Sequence, residues 1–241
     1  GYKRQVLDSS DITADLSSAA GRRFAVRQAS AMAVDGIDGV VTFAGLSGHS
    51  GKPSRDIVAV NYFGCVSLLD EFRPILGLGG IGAAVAIGSI GPVISPKVSN
   101  LLVEACLDGD EEAALDVADK VDASVAYVSS KLAVARWVRR KAPLDSWIGS
   151  GITLNSISPG FFDTPMSAYA IDTERGRRVV DDLRVPARRA GQPSEIAALV
   201  ELLLGASGRY FVGSVLVIDG GLEAARRADE WPRPADEHET D

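Results

Sequence analysis

Cysteine and histidine are scarce in this chain, and their scarcity excludes several kinds of site. The 241 residues include only two cysteines, Cys65 and Cys106, in a spacing that fits neither a metal motif nor a disulfide framework. The two histidines, His49 and His238, lie too far apart in sequence to suggest a histidine-based metal site. Since no signal peptide is recognisable either, we expect a reduced, cytoplasmic setting.

Long apolar runs and an excess of basic residues are also lacking. No apolar run reaches the ~20 residues that a membrane-spanning helix requires. The formal net charge is −7, which argues against nucleic-acid binding because that needs a basic face. Hydrophobic residues make up 46% of the chain, which is enough for the core of one α/β domain.

Short apolar runs alternate with helical patterns along the chain. Strands are predicted near residues 12–16, 39–45, 83–87, 152–157 and 215–219, and helices near 17–33, 53–72, 126–141 and 193–203. This alternation predicts an α/β fold, a Rossmann-type doubly wound parallel sheet with right-handed crossovers. We expect residues 1–222 to form this single domain and residues 223–241 to be a solvated polar tail.

Two segments depart from that alternation. Within residues 95–124, apolar residues recur at helical spacing up to Gly109, and a second short helix is predicted from Glu111 to Val121. The sequence therefore predicts a helical insertion ahead of the helix that contains Tyr127. Residues 161–190 show weak periodicity and several helix breakers, which predicts a mobile lobe.

Tyr127 and Lys131 are four residues apart, so on a helix both side chains project from the same face. A free tyrosine has a pKa of about 10, and a lysine ammonium nearby would favour the phenolate and lower that pKa. Such a tyrosine could exchange protons with an alcohol or a carbonyl. The same spacing also occurs in ordinary amphipathic helices, so the pair alone does not establish a site.

Three other features fall at the carboxyl ends of predicted strands, where ligands bind in parallel α/β sheets. They are Ala44-Gly45, Ser89 and Pro159-Gly160. Their common position predicts a site at that edge of the sheet.

Taken in order, these motifs resemble those of the short-chain dehydrogenase/reductase family over residues 1–222. The matching segments are Thr42-Phe43-Ala44-Gly45, Val60-Asn61-Tyr62-Phe63-Gly64, Ser89, Tyr127 with Lys131, Asn155 to Gly160 followed by Thr164-Pro165-Met166, Arg189 to Ile196, and Val217 to Gly221. The resemblance implies an NAD(P)-dependent oxidoreductase that acts on CH–OH groups.

The resemblance also implies four catalytic residues. Tyr127 would be the general acid/base, and Lys131 would lower its pKa and hold the nicotinamide ribose. Ser89 would hydrogen-bond the substrate oxygen, and Asn61 would hold a water that relays protons to Lys131. Ser89 could instead be a helix cap and Asn61 a surface residue, although asparagine is a poor helix former in mid-helix.

The cofactor implied by the resemblance is NAD or NADP. Its expected binding residues are Asp15, Leu16, Ala44, Gly45, Tyr127, Lys131, Pro159, Gly160, Phe162 and Thr164. Asp15 and Leu16 would contact the adenine ring, although Asp15 could simply be the acid of a helix N-terminus. If Lys3-Arg4 ends the second strand, NADP is favoured; if Asp8 ends it, NAD is favoured, and both stay open.

One family motif has no match here. Members begin with a strand and a glycine turn, T-G-x-x-x-G-x-G, that lets the backbone approach the pyrophosphate. Nothing in residues 1–20 matches it, as if roughly the first thirty residues, a βα unit, were missing. We expect weak dinucleotide binding by the chain as given, which is either a piece of a longer protein or a chain without a phosphate site.

The insertion suggests the substrate class. Its position in the chain, together with the sequence motifs quoted above, resembles the bacterial 3α-hydroxysteroid dehydrogenase/carbonyl reductase branch and coniferyl-alcohol dehydrogenases. Both groups act on bulky apolar alcohols or ketones. A pocket mouth could be formed by Phe161, Phe162, Met166, Tyr169 and Ile171, or these could only pack the lobe on the core. The branch also implies a homodimer. The remaining alternatives are a non-catalytic binding or regulatory protein and, last, a nucleotide-sugar epimerase or dehydratase.

Overall fold

The described part of the chain is organised by a parallel sheet whose four strands lie side by side in chain order. In the computed structural model, residues 12–33, 35–78, 80–167, 174, 181 and 184–232 are described. The strands are β1 (Gly39–Thr42), β2 (Gly82–Ile87), β3 (Ile152–Pro159) and β4 (Val215–Ile218). Every neighbouring pair is parallel, as the alternation of strands and helices predicts.

Ten α- and π-helical segments have both of their ends within the described part of the chain. They are α1 (Ala19–Met32), α2 (Ser54–Val58), a π-helical segment (Ala59–Phe63), α3 (Gly64–Phe72), α4 (Gly91–Ile94), α5 (Asn100–Asp108), α6 (Glu111–Ala118), α7 (Ala123–Lys141), α8 (Pro193–Leu204) and α9 (Leu222–Arg226). Short 3₁₀ turns occupy Arg73–Ile75, Ile148–Ser150, Pro165–Ser167 and Ala206–Gly208. No helix in this part of the chain has the length and apolar character needed to cross a membrane.

Apolar cores cover both faces of the sheet. On one face, Ala84, Ala86 and Leu154 pack with residues of α2, α3 and α7. On the other face, Val85 and Ile157 pack with α8. Strands buried on both sides read as nearly continuous apolar runs, which is the pattern that predicted this parallel sheet.

The register of the strands gathers the predicted site at one edge. Thr42 is paired with Ala86, and Ile87 is paired with Ile157. Residues that follow β1, β2 and β3 therefore leave the sheet at the same level. Ala44-Gly45, Ser89 and Pro159-Gly160 lie at these three carboxyl ends.

The strand predicted for residues 12–16 is wrong. These residues lie in irregular backbone and a turn, because Asp15 bonds locally instead of offering its backbone to a sheet. Its carboxylate accepts hydrogen bonds from the backbone N–H of Ser17, at 3.0 Å, and from the Ser17 hydroxyl. The helix predicted from residue 17 is confirmed as α1, with Ser18 as the N-cap.

The helical insertion is confirmed as α5 and α6. Gly109 ends α5 with a left-handed φ of 83°, and Asp110 caps α6 by accepting from the backbone N–H of Ala113. The second helix ends at Ala118, earlier than predicted. Helix α9 begins at the buried Leu222, the last residue of the expected domain, and runs to Arg226; residues 233–241 of the predicted tail lie outside the described residues.

Candidate active site

Asn61 lies in the π-helical segment, a wider turn inside an otherwise α-helical stretch. Such turns are rare and are often found at functional sites. The Asn61 side chain is fully buried: its Oδ1 accepts from the backbone N–H of Leu46 at 2.7 Å, and its Nδ2 donates to the Leu46 carbonyl at 2.9 Å. The structure thus gives the side chain a positioning role for the loop after β1, and it excludes the surface position considered above; the water relay stays a prediction.

Lys131 is held at the end of β2. Its side chain is only 6% exposed, and Nζ donates to the Ile87 carbonyl at 2.7 Å. This bond uses one of the three ammonium protons. Burial lowers the pKa of Lys131, and the nearby Cys65 thiol opposes that shift.

Gly45 leaves space beside both of these side chains. A Cβ at Gly45 would lie 3.3 Å from Asn61 Oδ1 and 3.6 Å from Lys131 Nζ. Ala44 precedes this close approach and follows β1. The predicted grouping of Gly45, Asn61 and Lys131 at the carboxyl edge is therefore present in the structure.

Ser89 and Tyr127 converge on Gly91. A Cβ at Gly91 would lie 3.2 Å from Ser89 Oγ and 3.5 Å from Tyr127 Cε1. Ser89 Oγ also accepts the backbone N–H of Gly91 at 2.9 Å, although Ile90 occupies the N-cap position of α4, so the capping alternative is wrong and this local bond coexists with proximity to the phenol. The glycine was not singled out in the sequence, although its place two residues after Ser89 was a usable signal.

The prediction that Lys131 lowers the pKa of Tyr127 is wrong for this structure. Burial raises the pKa of the partly buried phenol, and hydrogen bonding to Ser89 opposes this rise. The net effect is upward. The spacing of four residues placed Tyr127 and Lys131 on one helix face, but the lysine amine is bound to the Ile87 carbonyl.

We therefore expect Tyr127, in the protein without added nucleotide, to ionise only above the usual tyrosine pKa of about 10. Phenolate absorbance of wild type minus that of Tyr127→Phe isolates this group. Ser89→Ala removes the influence that lowers the pKa, so its titration should move to still higher pH. Circular dichroism at each pH is the control for unfolding, and a Tyr127 phenolate signal near neutral pH would contradict the expectation.

The residues after β3 are held mainly through their backbone. The Pro159 carbonyl accepts from the N–H of Ile90 at 3.0 Å, and the Gly160 N–H donates to the Ile218 carbonyl at 2.9 Å. Phe162 is buried with its ring against Gly191. The Thr164 N–H donates to Ser167 Oγ at 3.0 Å and closes a turn.

Asp15 and Leu16 lie beside the helix that contains Asn61. Leu16 packs against Gly64, where a Cβ would be 3.4 Å from the Leu16 carbonyl oxygen. The hydrogen bonds from Ser17 lower the pKa of Asp15, which stays a carboxylate. Ser18 rather than Asp15 caps α1, so Asp15 shapes the turn ahead of that helix.

Part of the expected pocket mouth can be located. Phe161 and Phe162 line a small pocket with Arg189, Glu195 and Asp219 beyond the ends of β3 and β4, while Met166 is 52% exposed. Tyr169 and Ile171 lie outside the described residues. The same holds for Lys3, Arg4 and Asp8, which were to distinguish NAD from NADP.

Comparison with known proteins identifies relatives of this chain. A family profile described as enoyl-(acyl carrier protein) reductase matches residues 114–223. The 3-alpha-hydroxysteroid dehydrogenase/carbonyl reductase of Comamonas testosteroni is 34% identical over 228 residues, which cover 93% of this chain and 88% of that protein.

Solved structures give the same result. The 3-alpha-hydroxysteroid dehydrogenase of Pseudomonas sp. B-0831, complexed with NADH, superposes with a TM-score of 0.84 at 36% identity and covers 92% of this chain and 87% of its own. RhlG of Pseudomonas aeruginosa, in an NADP active-site complex, has a TM-score of 0.66 at 25% identity, covering 88% and 75%. With the parallel sheet and the cluster at its carboxyl edge, this similarity shows that the chain belongs to the short-chain dehydrogenase/reductase family.

Proposed function

We propose that this oxidoreductase transfers a hydride between NAD or NADP and a bulky apolar alcohol or ketone, with hydroxysteroids and ketosteroids as the leading substrates. The observation that carries the proposal is the convergence of Ser89 and Tyr127 on Gly91 at the same sheet edge where Lys131 is held. These three side chains place a proton donor (Tyr127), a second hydroxyl (Ser89) and a cation (Lys131) at the carboxyl edge of the sheet.

The residues present at this edge fit the nicotinamide half of NAD or NADP. Gly45 has no side chain where a Cβ would approach Lys131 Nζ and Asn61 Oδ1, so the edge is open beside hydrogen-bonding groups. An ammonium offers several donors suited to ribose hydroxyls. Support for NAD or NADP comes from the relatives solved with NADH and with NADP. Lys131, Gly45 and the backbone of residues 159–164 would hold the nicotinamide half, and Asp15 and Leu16 would contact the adenine.

The bound nicotinamide supplies the hydride in reduction and accepts it in oxidation. In reduction, the Tyr127 hydroxyl donates its proton to the carbonyl oxygen, and in oxidation its phenolate accepts the alcohol proton. Ser89 donates a hydrogen bond to the same oxygen and stabilises the charge that develops there. Lys131, held by the Ile87 carbonyl, would act through the nicotinamide ribose and not by lowering the pKa of Tyr127.

The substrate class rests on the insertion and on the relative from Comamonas testosteroni. We expect the protein to reduce 3-ketosteroids and to oxidise 3α-hydroxysteroids with NADH/NAD or NADPH/NADP, with coniferyl alcohol as the second substrate to assay. Galactitol is a useful polar control, because a galactitol 2-dehydrogenase is only 27% identical to this chain. Absence of turnover with every apolar alcohol and ketone would overturn the proposal, and preferential galactitol oxidation would overturn its substrate class.

We also propose a homodimer formed through α8 and β4. The α8 sequence PSEIAALVELLL is strongly apolar, yet within α8 only Leu203 is buried. Beside it, Leu202 is 38% exposed, and Val217 of β4, an edge strand among the described residues, is 42% exposed. A second copy of the chain would cover this apolar helix and the open strand edge together.

Light scattering tests this assembly. We expect wild type to have twice the mass of one chain and Leu202→Glu to have the mass of one chain, because the carboxylate would be buried unpaired in the interface. Leu101→Glu, at an exposed leucine of α5, is the control and should stay dimeric. A monomeric wild type, or a dimer that both variants leave unchanged, would contradict the proposed interface.

A further inference from the structure

An ion pair joins the insertion to α1, and the arginine of this pair is buried. Arg22 of α1 is 2% exposed, and its Nη2 is paired with the Glu111 carboxylate at the first turn of α6. Gly109 turns the chain and Asp110 caps α6, which places Glu111 at this end of the helix. A carboxylate is also favoured there by the positive end of the helix dipole.

Arg22 makes a second contact, to the loop that precedes α1. Its Nη1 donates to the Leu16 carbonyl at 3.0 Å. The guanidinium thus joins Glu111 of the insertion to the backbone of Leu16 through its planar set of donors. Leu16 in turn packs against Gly64, just after the π-helical segment of Asn61.

The opposite end of α6 is attached elsewhere. Asp119 accepts from Arg55 of α2 at 2.5 Å, and the Ser54 hydroxyl donates to the Val121 carbonyl at 2.7 Å. Both partners of the Arg55–Asp119 pair are about two-fifths exposed, whereas Arg22 is buried. One end of α6 therefore carries an ion pair whose arginine contacts the Leu16 loop, and the other end carries an ion pair that does not contact this loop.

We propose that the insertion supports the adenine end of the cofactor site, with Glu111 and Arg22 as positioning residues that fix the Asp15-Leu16 loop. The inference rests on the proposed function, since it takes Asp15 and Leu16 as the adenine contacts. Loss of Glu111 leaves the buried guanidinium without its charged partner, so it turns toward solvent or another acceptor and releases Leu16. The insertion thereby governs the affinity for the dinucleotide, although its sequence resemblance relates it to the substrate side of the site.

The test compares Glu111→Ala with two matched controls. Glu112→Ala removes an exposed glutamate from the same helical turn, and Asp119→Ala removes the other ion pair of α6. Calorimetry with ADP-ribose or its 2′-phosphate, whichever wild type binds, reports the adenine half. Reduced nicotinamide mononucleotide reports the other half. Hydrogen exchange of residues 12–18 reports the loop without any ligand.

We expect Glu111→Ala to bind the adenine-half probe about tenfold or more weakly, the size of a lost hydrogen bond to a charged group. The mononucleotide affinity should be unchanged, and amide exchange in residues 12–18 should be faster. Both control variants should match wild type in all three measurements. Equal weakening for both half-ligands, or equal effects in the controls, would overturn the proposal because either result would mean general loosening.

Glu111→Gln decides the case if the alanine variant does not fold. It keeps an acceptor oxygen and loses the charge, so a smaller loss in the same direction is expected, and wild-type affinity for the adenine-half probe would overturn the proposal. Failure of the proposed function has a different signature. Wild type would then bind neither NADH nor NADPH even at the high nucleotide concentrations that weak binding requires, which overturns both, whereas failure of the support alone leaves wild-type binding intact.

Discussion

Replacing Tyr127 by phenylalanine is expected to reduce kcat by about 10²- to 10⁴-fold, the range that general acid–base catalysis supplies. The phenol oxygen is the group that would give or take the proton, and the ring that packs beside Gly91 is kept. Cofactor affinity should therefore change little. Steady-state kinetics with a 3-ketosteroid and fluorescence titration with NADH or NADPH measure the two quantities separately.

Tyr62→Phe is the matched control. Tyr62 is a buried tyrosine of the π-helical segment whose ring lies edge-on to Phe63 at 5.0 Å between centroids. The substitution removes a tyrosine hydroxyl from the core and leaves the active site intact, so activity should stay near that of wild type. If Tyr127→Phe kept wild-type kcat while Tyr62→Phe lost activity, the assignment of the acid/base would be wrong.

Lys131→Met is expected to lower kcat/KM by about 10- to 100-fold and to weaken cofactor binding, since the variant loses a charged hydrogen-bond donor beside Gly45. The methionine fills a similar volume without the charge. Burial lowers the pKa of Lys131, so keeping the buried ammonium charged costs folding free energy. The variant is freed of this cost, which offsets the loss of the hydrogen bond to the Ile87 carbonyl. The melting temperature should therefore change little.

Lys120→Met serves as the control for loss of a lysine, because Lys120 is exposed just after α6. Its kinetics and its cofactor affinity should equal those of wild type. A Lys131→Met variant with wild-type kcat/KM would remove Lys131 from the site. A large drop in melting temperature would instead show that its main role is to hold β2 and α7 together.

The enzyme interpretation is supported over the alternative of a non-catalytic regulator. The relatives at 34% and 36% identity are a dehydrogenase/carbonyl reductase and a dehydrogenase, and the four expected side chains occupy the same edge of the sheet. The identity of the substrate is a separate matter. The expected substrate lobe, residues 161–190, would decide it, and of these 168–173, 175–180 and 182–183 lie outside the described residues.

The sequence predicted the sheet and the location of the site because both follow from local patterns. Apolar runs such as Ala83 to Ile87 mark doubly buried strands, and in a parallel sheet the ends of such strands lie together. The spacing of Tyr127 and Lys131 predicted that both side chains project from the same face of α7. The helical insertion was visible because Gly109 interrupts two apolar patterns at helical spacing.

The pattern failed where local bonding competes with strand formation. Ile12 to Leu16 alternates as a strand would, but Asp15 and Ser17 bond to each other and form a turn. Helix α9 was not predicted either: it begins at Leu222, the last residue of the expected domain, which is buried, and it continues to Arg226.

By itself, the sequence determined the class of fold, the order of its elements and the edge at which the reactive side chains meet, because residue spacing fixes helix faces and strand ends. Only the tertiary structure decided what each side chain does there. Asn61 is bound to Leu46, Lys131 to Ile87, and Arg22 to both Glu111 and Leu16. The direction in which the pKa of Tyr127 moves was decided there too, because burial and long-range hydrogen bonds depend on packing between segments far apart in the chain.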